Sequence, residues 1–246
     1  MAESAHAKPT LIDRMPAALR APAARLAWRE IGAIAVVFIG AAMLLAFVVL
    51  AGEVREGDTQ SFDLWLMSLF HGASPGDRIG PDWFEEMVRD VTALGSYAFI
   101  IITVVIVGGY LLLVRKAELA VLMVTAIAGG MAISHLLKEL FDRPRPDIEH
   151  AVRVFTASFP SGHATLSAVT FLTLAALLTR ARARRGVKLY FVAVAVVLTI
   201  LTGLSRVYLG VHYPSDVLAG WCVGSAWAIL CWTAALLLQR RKRNAA

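Results

Sequence analysis

The sequence predicts an all-α protein: a polytopic membrane bundle of six transmembrane helices, with short interfacial helices in its first outer loop. Three observations carry this expectation. Ile31–Leu50 holds no charged residue, and about 20 apolar residues in helical form cross a bilayer. Five more apolar segments follow it, and the loops between them alternate in charge. Of the 246 residues, 58% are hydrophobic, more than the roughly half usual in a soluble domain.

The elements follow in chain order. Residues 1–30, with Pro9, Pro16 and Pro22 among five Lys or Arg, read as a cytoplasmic tail. Ile31–Leu50 is too long for the apolar core of a cleaved leader, about 7–15 residues, and reads as an uncleaved first span. The other spans are Tyr97–Val114, Leu119–Leu137, Ala164–Thr179, Leu189–Leu204 and Val217–Leu238. The fourth and fifth are short and cross only if their polar ends are helical too. The expected organisation is a six-span domain over 31–238, an outer loop over 51–96 and a basic cytoplasmic tail over 239–246.

Charge orients the spans. The N-terminal tail, Arg115–Glu118, Arg180–Lys188 and Gln239–Ala246 together hold 16 of the 24 Lys and Arg. Cytoplasmic loops carry that excess, so both termini are expected inside. The net charge of +6 is then a topology signal and implies no nucleic-acid partner. Ala51–Ser96 carries nine of the 18 acidic residues and is expected outside. Within it, "SFDLWLMSLF" and "PDWFEEMVRDV" mix apolar and charged residues and read as helices lying at the interface, as a cap or as a lip that admits lipid. Cys222 and Cys231 stand nine residues apart in one apolar run, so on a helix they face roughly opposite ways and do not pair. The paired glycines Gly108-Gly109 and Gly129-Gly130 read as places of close helix packing.

Three clusters fall on the outer side. "KELFDRPRP" puts Lys138, Arg143 and Arg145 where basic residues are disfavoured, which calls for an anionic counterpart. "FPSGHATLS" opens an apolar helix, with Ser161 in N-cap position and Gly162 allowing a ligand near the backbone. The free N–H groups of such a helix start suit phosphate. "LSRVYLGVHYPSD" places His212 four residues before Asp216, with Pro214 suited to a first helical turn. A carboxylate on one ring nitrogen fixes the tautomer and leaves the other free as nucleophile or base. A capped helix start with a satisfied His–Asp hydrogen bond has the same spacing. Lys138, Arg145 and Arg206 as cations, Ser161 and Gly162 as donors, and the histidines His163 and His212 make up the inventory of phosphoryl transfer.

These motifs resemble those of the type 2 phosphatidic acid phosphatase family, whose soluble relatives include vanadium haloperoxidases. The match runs through Lys138…Arg145-Pro146, Pro160-Ser161-Gly162-His163 and Ser205-Arg206…His212…Asp216, without departure. The resemblance implies that His212 attacks phosphorus and forms a phosphohistidine, oriented by Asp216. It implies that His163 protonates the leaving oxygen and then activates water. Lys138, Arg145, Ser161, Gly162 and Arg206 would hold the phosphoryl oxygens, with no cofactor and no metal. In this register Arg143 is left as a surface residue, and His135, one turn before Lys138, as an interfacial histidine; His71 and His150 have no assigned partner. The substrates implied are membrane lipid phosphates: undecaprenyl pyrophosphate first, with phosphatidic acid and phosphatidylglycerol phosphate beside it. The expected location is the bacterial inner membrane, with the site on its outer face. A phosphotransferase would use the same residues, whereas a transporter would carry ionisable residues at mid-span.

Overall fold

The computed structural model describes residues 17–71, 79–147, 156–179 and 184–245. Pro9, Pro16, Asp77, His150 and Arg180–Ala183 of the basic run lie outside the described residues. Every regular element among the described residues is a helix. These are α1 (Ala17–Glu56), α2 (Gln60–Ser68), α3 (Asp82–Ala93), α4 (Tyr97–Leu113), α5 (Ala117–Phe141), α6 (Gly162–Thr179), α7 (Arg185–Tyr208) and α8 (Pro214–Ala245). The chain divides at Ile39/Gly40 into two compact units, and α2 to α8 all belong to the second.

Among the described residues five helices are long and apolar enough to cross a membrane: α1 from Ile34, α5, α6, α7 and α8. α4 reaches that length only with α3, to which it joins across a 49° bend, making a sixth candidate span. The fold class is therefore the expected all-α membrane bundle. α2 and α3 are the two short helices of the 51–96 loop, and both expose apolar side chains, Phe62, Leu64 and Trp65 on α2, Trp83 and Met87 on α3.

Local chemistry sets the helix ends. Ser96 caps α4 by accepting from the Phe99 N–H at 3.2 Å. α5 stops at Asp142, which is left-handed (φ 41°), and Pro144 and Pro146 prevent its resumption. α8 begins on Pro214, which has no N–H to leave unsatisfied there.

α6 is central, with ten of its eighteen residues buried, and it packs on α5, α7 and α8. Small residues bring α8 close. A Cβ on Gly220 would lie 2.7 Å from the Ser161 carbonyl oxygen, and one on Gly224 2.5 Å from that of Thr165. Four residues apart, they share one helix face, the small-residue pattern of close membrane helices. Gly129 lies against the Trp227 ring and Gly130 against Val169, as expected of packing glycines. Gly109 has nothing within 4 Å, so the packing reading fails there. Both cysteines are free and half-buried.

Candidate active site

Three segments meet at one end of the bundle: the last turn of α5 with its tail, the approach to α6, and the turn from α7 into α8. The third is built by a glycine. Gly210 is left-handed (φ 66°), its N–H reaches the Val207 carbonyl at 2.9 Å, and the Val211 N–H reaches that of Arg206 at 3.2 Å. This double closure ends α7 and delivers His212 into the interior one residue later.

His212 is 2% exposed and Asp216 fully buried. The Asp216 carboxylate accepts from the Tyr213 N–H at 2.9 Å, reaching back over the first turn of α8 as a capping carboxylate does. The same Oδ2 accepts the Ser158 hydroxyl and faces His212 Nδ1 at 3.4 Å. Arg145 Nη1 lies 3.1 Å from His212 Nε2. A guanidinium only donates, so Nε2 carries the lone pair and Nδ1 the proton, shared between Asp216 and Ser158 Oγ at 3.3 Å. Burial, with Arg145 and Arg206 adding to it, outweighs Asp216 and pushes the His212 pKa down to about 3. The imidazole is therefore neutral across the physiological range.

Among the described residues the three cations donate to neutral groups. Lys138 Nζ donates to the Ala157 carbonyl. Arg145 donates to the carbonyls of Thr156 at 2.8 Å and Val211 at 2.7 Å, and its own pKa is lowered, chiefly by burial. Arg206, 8% exposed, donates from Nη1 to Thr92 Oγ1 on α3 at 3.0 Å, while its Nε is buried without a partner. Among the described residues none of the three forms an ion pair, yet Arg145 and Arg206 lie near enough to Lys138 to repel it. Ser161 occupies the N-cap position of α6, but among the described residues its buried hydroxyl caps nothing and has no partner. Gly162 follows as the first helical residue, with Lys138 Cε 3.7 Å from where its Cβ would be.

His163 stands on the first turn of α6 within the field of Arg206, His212, Arg145 and Lys138. Gly95, between α3 and α4, makes room for it: a Cβ there would lie 3.0 Å from His163 Cβ and 2.6 Å from Thr202 Cγ2. The structure thus brings together all eight residues of the sequence reading. It corrects one assignment. Arg143 is not a surface residue: its side chain is 15% exposed and pairs with Asp216 Oδ1 at 2.6 Å and Asp63 Oδ2 at 2.8 Å, with its guanidinium 4.3 Å from the Tyr213 ring centre. Sequence reasoning missed this, and missed Ser158 and Asp63, because none stands at a motif spacing. The one available signal was Asp63 on the mixed face of "SFDLWLMSLF". His135 faces Glu139 at 3.3 Å on the exposed side of α5, away from the site. Among the described residues no group of His, Cys, Asp or Glu could hold a metal.

The sequence model of the PAP2 superfamily matches residues 119–240, the stretch holding all these motifs. Phosphatidylglycerophosphatase B of Bacillus subtilis is 30% identical over 184 residues, covering 74% of this chain and 87% of that protein. The chain belongs to the PAP2 superfamily. It is an integral membrane protein and a hydrolase of the PAP2 type. The crystal structure of the transmembrane PAP2-type phosphatidylglycerolphosphate phosphatase from Bacillus subtilis superposes with a TM-score of 0.72 at 29% identity, over 79% of this chain and 94% of that one. Lipid A 1-phosphatase of Rhizobium johnstonii is 33% identical over 190 residues, covering 67% of this chain and 73% of that protein.

Proposed function

We propose that this chain removes phosphate from a membrane lipid through a phosphohistidine on His212. One observation carries the reading: Lys138, Arg145 and Arg206 crowd round His212 with no carboxylate of their own among the described residues. Like charges gathered in a low-dielectric interior call for an anion of more than one charge, as a phosphoryl group is. Its oxygens would draw Arg145 off Nε2 and free the lone pair. Nε2 then attacks phosphorus while the lipid's bridging oxygen leaves with its electron pair and takes a proton from His163. His163 next removes a proton from water, and the hydroxide displaces Nε2 to release inorganic phosphate. Asp216 offsets the positive charge that develops on His212 in both steps. Ser161, Gly162 and the three cations hold the equatorial oxygens.

Phosphatidylglycerol phosphate is the substrate to try first, ahead of undecaprenyl pyrophosphate, because the B. subtilis phosphatase covers most of the chain by sequence and by structure. The distribution of Lys and Arg supports cytoplasmic termini in a bacterial inner membrane, with the site on the outer face. A transporter is disfavoured, because Leu119–Ser134, Ala164–Thr179 and Val217–Leu238 contain no Asp, Glu, Lys or Arg. Detergent-purified protein with chelator present is expected to release phosphate from phosphatidylglycerol phosphate, and folded His212→Ala to release none. Undecaprenyl pyrophosphate and phosphatidic acid are the comparison substrates. Undiminished release by His212→Ala overturns the mechanism, and release that requires an added alcohol acceptor identifies a phosphotransferase.

A further inference from the structure

Among the described residues, Asp216 and Asp63 are completely buried in this end of the bundle. Asp63 belongs to α2, in the outer loop, and has no part in the chemistry above. Its Oδ1 accepts from the Ser215 N–H at 2.8 Å, and its Oδ2 accepts from the Ser215 hydroxyl at 2.6 Å. It thus caps α8 from a different helix, one residue before Asp216. Arg143 lies between the two acids: Nη2 donates to Asp63 Oδ2 at 2.8 Å, and Nη1 to Asp216 Oδ1 at 2.6 Å and Ser215 Oγ at 2.8 Å. A planar fork satisfies two carboxylates at once, which an ammonium cannot do with the same geometry.

Two buried carboxylates without a cation between them do not both stay ionised. Asp216 must stay ionised to orient His212 and to offset its developing charge. Its other partners, the Ser158 hydroxyl and the Tyr213 N–H, are neutral. We propose that Arg143 and Asp63 are positioning residues for the phosphatase reaction: the Asp63–Arg143 pair, anchored on α2, keeps Asp216 charged and aimed at His212. The outer loop is thereby part of the catalytic apparatus as well as a cover for it. The inference rests on His212 as the nucleophile.

The groups facing Asp216 and His212 agree with this division of labour. Arg145 follows α5, with Lys138 on α5, His163 on α6, Arg206 on α7, and Tyr213 leading into α8. Among the described residues none of the Lys and Arg in that set touches Asp216, whereas Arg143 does; Arg145 touches His212 on the opposite nitrogen. Burial works against the charge on Arg143, but Asp216 and then Asp63 outweigh it and raise its pKa above the ordinary value. The guanidinium stays charged at every working pH.

The test is phosphate release by detergent-purified protein across pH 4.5–8.5, with inhibition by orthovanadate as an independent measure of the phosphate pocket. Arg143→Met is expected to lower kcat about 30- to 100-fold with KM and vanadate inhibition within about threefold. Its acid limb should move up by about one pH unit, because Asp216 loses the cation that pairs with it. Asp63→Asn combined with Arg143→Met removes one of the competing charges and is expected to recover kcat about tenfold over Arg143→Met alone. Arg143→Lys, which keeps the charge, falls between and carries the comparison should Arg143→Met fail to fold. A double variant no better than the single one, or a loss of kcat with an unmoved acid limb and weakened vanadate inhibition, reduces the triad to a structural tie and overturns the proposal. Wild-type kcat in Arg143→Met overturns it too. His212→Ala measured alongside separates the two failures: inactive His212→Ala with normal Arg143→Met sinks only the positioning role, whereas active His212→Ala sinks the mechanism beneath it.

Discussion

Gly95→Ala tests how tightly the α3–α4 junction holds the acid–base histidine. The added Cβ would stand 2.6 Å from Thr202 Cγ2 and 3.0 and 3.1 Å from His163 Cβ and Cδ2. Carbon atoms rest at about 3.5 Å or more, so about 0.9 Å must be found on the Thr202 side and about 0.5 Å on the other. Thr202 is fully buried and tied to the Leu198 carbonyl at 2.8 Å. His163 is half-buried and makes no hydrogen bond among the described residues, so its ring yields first. Overpacking of this kind costs about 1–3 kcal/mol in stability. A catalytic group misplaced by about 1 Å costs on the order of 100-fold in rate. A shift of about half that distance therefore predicts a loss of about 10- to 100-fold in kcat with vanadate inhibition preserved. Thr202→Ser removes Cγ2 and keeps the hydroxyl, so Gly95→Ala with Thr202→Ser should recover most of kcat. The assay is steady-state phosphate release from phosphatidylglycerol phosphate in detergent. Wild-type kcat in folded Gly95→Ala refutes the packing argument. A double variant as slow as the single one refutes the route through Thr202.

Two further outcomes follow from the same geometry. Ser158→Ala removes a hydrogen bond to a buried carboxylate, a class contributing about 1.5–3 kcal/mol; kcat should fall about 10- to 100-fold with KM little changed, and an unaltered kcat would show that Asp216 does not need the hydroxyl donor. His212 has a folded pKa of about 3 against about 6.5 unfolded, so the unfolded chain takes up the proton first. Its stabilising contribution is complete above about pH 6.5 and is lost as pH falls toward 3, at up to about 1.4 kcal/mol per pH unit. Thermal unfolding at pH 7.5, 6 and 5 should show that decline in the wild type and a shallower one in His212→Gln; equal slopes would refute it.

The spans, the helix starts at Gly162 and Pro214, and the eight motif residues were legible because each is a short-range property. Apolar length, a proline at a helix start, and His212 four residues ahead of Asp216 all act within a few turns of chain. Arg143 shows where that ends. Two residues from Arg145 and on the same Pro-rich tail, it has a different function because its partners lie 80 residues back, at Asp63, and 73 ahead, at Asp216. Ser158 meets His212 across 54 residues, and Gly95 meets His163 only because α3 bends into α4 beside α7.

The sequence by itself determined that the chain is a membrane bundle with three clusters, holding basic residues and histidines between them, on one side. Spacing along a helix or turn is covalent geometry, readable without a neighbour. Only the tertiary structure decided which cations stay unpaired around His212 and which one is neutralised. That depends on which helix faces meet at the end of α6, and small residues such as Gly220 and Gly224 settle this by letting the backbones come together.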